Sequence, residues 1–102
     1  MPSKHGQDNI ADSATFTFTE TVPTNKSYRN IFFSATCEGK GKITFKKNSR
    51  TLGVFFTSIE DPQVEFFMQP NQSANFDDNL EASILNQSGG VADVSAVIQF
   101  ND

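Results

Sequence analysis

The sequence has no tryptophan, one cysteine and one histidine. These scarcities exclude most chemistry before any pattern is read. Cys37 alone closes no intrachain disulfide and builds no cysteine cage for a metal. It is in phase with Ile31, Phe33 and Ala35, so it reads as a small core residue rather than a nucleophile. His5 lies in a polar stretch and reads as solvated, because a Ser-His-Asp or Cys-His arrangement would need it fixed in a pocket. Cations are also short, with 8 Lys and Arg against 12 Asp and Glu and a net charge of -4. Affinity for a phosphate backbone comes mostly from clustered cations, so nucleic acid is excluded as a partner. No run approaches the roughly 20 apolar residues of a membrane span, which excludes a membrane partner. The start, MPSKHGQDNIADSA, lacks the apolar segment of a secretory signal. The expectation is a protein that stays in the cytoplasm until lysis or leaves by a dedicated route. The N-x-S sequons at Asn25, Asn71 and Asn86 then read as Asn- and Ser-rich turns.

Leucine occurs only at 52, 80 and 85, whereas phenylalanine occurs 11 times beside abundant Thr, Ser and Asn. That balance favours strands and turns over helices. A chain of 102 residues is one domain, long enough to bury a core without disulfides or a structural metal. Residues 1–13 show no periodicity and read as a polar N-terminal arm, mobile or ordered only against a neighbour. Residues 14–102 form the β domain. Phe16 and Phe18 alternate with threonines. Ile31, Phe33, Ala35 and Cys37 form one face of the next strand, and Ile43 and Phe45 point inward from the one after. Leu80, Ala82 and Ile84 are in phase, as are Ala92, Val94, Ala96, Ile98 and Phe100. Phe76 stands alone and is expected to plug one end of the core. Glu38-Gly39-Lys40-Gly41 reads as a hairpin turn. No window holds a sustained 3.6-residue apolar period. The pattern predicts an all-β fold, a two-sheet antiparallel β-sandwich of jelly-roll-like form.

Thr51 to Met68 reads as two strands flanking the turn Ile59-Glu60-Asp61-Pro62. Leu52, Val54 and Phe56 share one face, and Val64, Phe66 and Met68 share another, as in a half-buried hairpin. Phe55 and Phe67 then fall on the faces that should be wet, together with Phe32, Leu85, Val91 and Val97. Burying a Phe side chain contributes about 1.5–3 kcal/mol, so three represent roughly 5–9 kcal/mol. The stability of a domain this size is about 5–10 kcal/mol. The expectation is therefore an oligomer interface of Phe32, Phe55, Phe67, Leu85 and Val97, in a homo-oligomer and most simply a trimer.

The acidic pairs Glu60-Asp61 and Asp77-Asp78 read as solvated turn residues. Calcium would need six to eight oxygens, and no metal or cofactor is expected. No catalytic dyad can be assembled, so no enzyme is expected. Lys40, Lys42, Lys46, Lys47 and Arg50 concentrate positive charge in one stretch of an acidic chain. They protect a hairpin edge or dock on an acidic protein surface.

The stretch IFFSATCEGKGKITFKKNSRTLGVFFTS, then DPQVEFF and DDNLEASILNQSGGVADVSAVIQF, resembles the small jelly-roll proteins that decorate tailed-phage capsids. The resemblance spans Tyr28 to Phe100. It implies a cement protein on the capsid surface of the virion, partnered by the major capsid protein or another virion protein. In that account Lys40, Lys42, Lys46, Lys47 and Arg50 meet the shell. The alternative is a carbohydrate- or receptor-binding module of a phage tail or secreted protein, using Tyr28, Asp61, Asp77 and Asp78.

Overall fold

The alternation of apolar and polar residues becomes nine strands and no helix among the described residues of the computed structural model, which are 3–68, 74–75 and 77–101. The strands are β1 (Ser3–Ile10), β2 (Thr15–Thr21), β3 (Ser27–Cys37), β4 (Gly41–Lys47), β5 (Arg50–Thr57), β6 (Gln63–Phe67), β7 (Ala74–Asn75), β8 (Asn79–Asn86) and β9 (Ala92–Asn101). One sheet has the order β1-β9-β3-β6, with β7 pairing the start of β3, and the other has the order β2-β8-β4-β5. Every pairing is antiparallel. The two sheets face each other as the expected β-sandwich, in jelly-roll order.

One turn organises this order. Asn48 and Ser49 join β4 to β5 with φ of 52° and 70°. Positive φ at both central residues is what a two-residue hairpin turn requires, and Asn tolerates it well. Pairing then spreads outward along the chain, β3 with β6, β2 with β8 and β1 with β9. Successive pairs fall in alternate sheets. Strand β9 also joins β3, and β8 also joins β4, which completes each sheet.

Two turns therefore differ from the sequence expectation. Thr51 to Met68 is not a hairpin, because β5 and β6 are the edge strands of opposite sheets. Phe55 and Phe66 meet across the core with ring centroids 6.0 Å apart, which requires their strands to lie in facing sheets. Likewise Glu38-Gly39-Lys40 carries the chain from β3 in one sheet to β4 in the other, with Gly39 at φ 97°.

The inward faces of β3, β4, β8 and β9 match the periodicity. Ile31, Phe33, Cys37, Ile43, Phe45, Leu80, Ile84, Val94 and Ile98 are fully buried. Strand β5 inverts its expected face. Phe45 pairs with Gly53 but Lys46 pairs with Thr51, so Leu52 is the extra residue of a bulge. Beyond it the phase is reversed: Phe55 packs on Phe45 at 5.8 Å, while Val54 and Phe56 point outward. Gly53 faces inward, where an added Cβ would lie 2.9 Å from the Phe55 ring. Thus Phe55, expected at an oligomer interface, faces inward and packs against the core, partly buried.

The segment read as an arm contributes a strand as well. β1 pairs with β9 from Ser3 opposite Gln99 to Ile10 opposite Ala92. Its side chains are mostly polar and exposed, so no apolar period marks it. Its backbone nevertheless completes a ladder. Gly6 leaves room for the rings of β2, since an added Cβ would lie 2.8 Å from Phe18. Of the residues singled out from the sequence, Asn71 and Phe76 lie outside the described residues.

These placements give a direct contrast. Phe55→Ala should cost about 2–4 kcal/mol in urea unfolding, as expected for an aromatic core truncation. Phe67→Ala, on the outer face of β6, should cost about 1 kcal/mol or less.

Candidate functional site

Four connections gather at one end of the sandwich: β1–β2 (residues 11–14), β3–β4 (38–40), β5–β6 (58–62) and β8–β9 (87–91). Their backbone groups are tied together. Asn86, read from the sequence as a turn residue, has a fully buried side chain that donates to the carbonyls of Ile10 at 3.1 Å and Gly90 at 2.8 Å. Its own carbonyl accepts the Ser88 amide at 2.9 Å. The Gln87 amide donates to the Lys40 carbonyl at 3.0 Å, and the Gly89 amide donates to Asp12 at 2.9 Å. Thr57 donates to the Gly39 carbonyl at 2.8 Å. A single buried Asn thus bridges two of the four connections, and hydrogen bonds between turns link the others.

On this base lies an open groove of about 980 Å³, lined among others by Gly39, Ile59, Pro62, Ser88 and Val91. The β5–β6 loop closes on itself, since Ser58 and Asp61 exchange backbone hydrogen bonds of 3.1 and 3.2 Å. This closure projects Ile59, which is 87% exposed, and Val91 across the groove is 63% exposed. Glu38 and Glu60 line the same groove, with Lys40, and Asp12 holds the Gly89 amide at its edge. Among the described residues no group of three or more His, Cys, Asp or Glu is arranged to hold a metal ion. The arrangement offers a fixed apolar contact within an acidic rim. The sequence reading missed Ile59 by assigning it to a turn. The available signal was an isoleucine set in an acidic, proline-bounded loop, where the turn itself has no use for it.

The other residues singled out from the sequence are scattered. Phe32 and Phe67 do meet, on the outer face of β3 and β6, with ring centroids 6.2 Å apart. Leu85 lies on the outer face of the opposite sheet, beside Lys42. Val97 lies opposite His5, and that histidine is exposed. The cations do not form one patch. Lys40 is at the groove, Lys42 and Lys46 are on the outer face of β4, and Lys47 reaches Asp78 at 3.7 Å at the far end, near Arg50. The sugar-site set is not assembled either. Tyr28 is buried, stacked on Phe100 at 3.7 Å and donating to Glu20 at 2.8 Å. Asp61 stands at the groove end, and Asp77 and Asp78 stand at the opposite end.

Asp78 has a structural task there. It accepts from Asn48 Nδ2 and from the Asn75 amide, each at 2.8 Å. The Asn79 amide in turn donates to Asn48 at 2.8 Å. The Asn48 bond first, then the Asn75 amide and the Lys47 charge, hold the Asp78 carboxyl below the usual carboxylate range despite some desolvation. Cys37 is shifted the other way. Burial raises its thiol, and the Glu38 charge adds to this, against a smaller lowering by Thr57.

No family model and no curated protein matches the sequence. Among solved structures the fold is similar to that of Aeromonas hydrophila PliG, a periplasmic lysozyme inhibitor of g-type lysozyme. The match has a TM-score of 0.54 at 12% identity and covers 95% of this chain and 86% of that one. The likeness is one of fold. It corrects the expectation of a capsid cement protein: the fold is similar to that of an inhibitor of g-type lysozyme, and no capsid family matches the sequence.

Two outcomes follow from the geometry. Cys37 should resist a thiol reagent in the native protein and react fully once urea unfolds it. Asp78→Asn should lower stability at neutral pH by about 1–2 kcal/mol. Because the folded carboxyl titrates below its ordinary value, that contribution is present above about pH 4 and is lost as pH falls through the folded value. Urea unfolding curves of the two proteins should therefore converge in acid.

Proposed function

We propose that this chain works by binding a protein, and that it blocks a hydrolase by docking its groove end on that enzyme. In this reading it performs no chemistry of its own. The observation that carries the proposal is Ile59, almost fully exposed at the tip of a loop closed by its own backbone hydrogen bonds. A large apolar side chain held rigidly in water contributes nothing to the fold. Its burial on a partner costs little conformational entropy. Val91 and Pro62 extend the apolar contact, and Glu38 and Glu60 flank it. Such a centre with a polar rim is the anatomy of a protein interface.

The groove is open, and its few polar groups do not converge on a point. That favours a protein surface over a small ligand, whose site encloses most of it. The excess of carboxylates at this end fits a partner with a basic cleft. The fold shared with PliG, whose name describes it as an inhibitor of g-type lysozyme, supports choosing a hydrolase as that partner.

A g-type lysozyme is the first probe. Binding is read by calorimetry and inhibition by clearing of a cell-wall suspension. Ile59→Asp should weaken binding at least about tenfold, or about 1.4 kcal/mol, and leave the unfolding midpoint unchanged. Binding without inhibition would remove the inhibitor role and keep the docking surface. Equal affinity of the Ile59→Asp protein would remove the docking surface as well.

A further inference from the structure

We infer that two copies of this chain associate through β5, edge against edge, extending the β2-β8-β4-β5 sheet into a second molecule. The inference rests on the β5 edge and not on the proposed function, and it shares one residue, Glu60, with the rim of the groove. The edge of a sheet presents unpaired backbone groups, and natural proteins protect it with charge, proline or a short strand. The other three edges carry such protection. β1 has Lys4 and Asp8, and β2 has the charged Glu20. β6 is five residues long, follows Pro62 and has Glu65 at its centre. β5 differs. From Leu52 to Thr57 it has neither charge nor proline, and its outer face carries Val54, 42% exposed, and Phe56, 66% exposed.

The bulge at Leu52 turns the start of β5 aside, so the regular free ladder is Gly53–Thr57. One antiparallel register pairs that whole stretch with itself. It places a two-fold axis at Phe55, Val54 opposite Phe56 of the second copy, and Gly53 opposite its Thr57. The two exposed apolar side chains on the outer face then cover each other. Beyond the ladder, the same axis brings the start of β5, which carries Arg50, to the end of the ladder from which the second copy's chain runs on to Glu60. Opposite charges meet at both ends of an antiparallel pair, whereas a parallel pair would set like charges together. A two-fold pair also closes on itself and leaves no β5 edge for further growth. The stoichiometry is therefore two rather than the three expected from the sequence.

Light scattering after size exclusion, over a concentration series, should show twice the single-chain mass of 11.3 kDa at the concentrated end. Amide exchange at residues 53–57 should slow as concentration rises, a readout that needs no variant. Phe56→Lys and Val54→Lys should each give the single-chain mass throughout with the circular dichroism spectrum of a β protein. Phe67→Lys, on the other sheet, should stay dimeric. Arg50→Glu should weaken association about tenfold, and Arg50→Glu with Glu60→Arg should restore it. A single chain at every concentration, a threefold mass, or a dimer that survives both lysine variants would overturn the inference. Failure of the double exchange to restore association would do the same.

Discussion

Backbone hydrogen bonding between β4 and β5, closed by the left-handed residues Asn48 and Ser49, constrains where every other strand can lie. Once the chain folds back there, its two halves run antiparallel. Each further pair then follows from the one before, with β3 on β6, β2 on β8 and β1 on β9. The turn is held from outside by Asp78, which binds the Asn48 side chain and the Asn75 amide together. A carboxylate accepting two donors favours its charged form, so the pin is strongest when ionised.

The same folding back determines what the ends of the molecule carry. Because successive pairs alternate between sheets, the remaining turns cross from sheet to sheet rather than making hairpins. Four of them arrive at one end, where Asn86 is buried beneath them. Left unpaired, its amide would cost several kcal/mol, so its bonds to Ile10, Gly90 and Ser88 are needed for that end to close. A base of this kind holds Ile59 and Val91 in water. The groove is thus a consequence of topology, and its apolar tips belong to no requirement of the fold.

Much of the interior was legible in the sequence. Ile31, Phe33, Ile43, Phe45, Leu80, Ile84, Val94 and Ile98 fall on alternate positions of their strands, and each is buried. A strand with one core face repeats every two residues, and no partner needs to be known to see it. Phe55 shows where that logic stops. One extra residue at Leu52 shifts the phase, and a bulge leaves no mark in an apolar run. β1 shows a second limit. A strand whose side chains are mostly wet has no apolar period, and only the free ladder of β9 draws it in. Phe32 and Phe67, out of phase with the core set, lie on an outer face, where the structure brings their rings together. Lys40 and Arg50, close in sequence, lie at opposite ends because an extended strand separates them.

Composition and periodicity alone determined that this chain is an all-β sandwich with a phenylalanine-rich core. Those properties depend on residue type and on nearest-neighbour spacing, both of which are local. Tertiary structure alone decided which strands share a sheet, that Phe55 faces inward while Phe56 faces water, and that Ile59 and Val91 line one groove. Each of these depends on contacts between segments far apart in the chain. Their register is set by the mutual closure of two sheets, and no short stretch of sequence contains it.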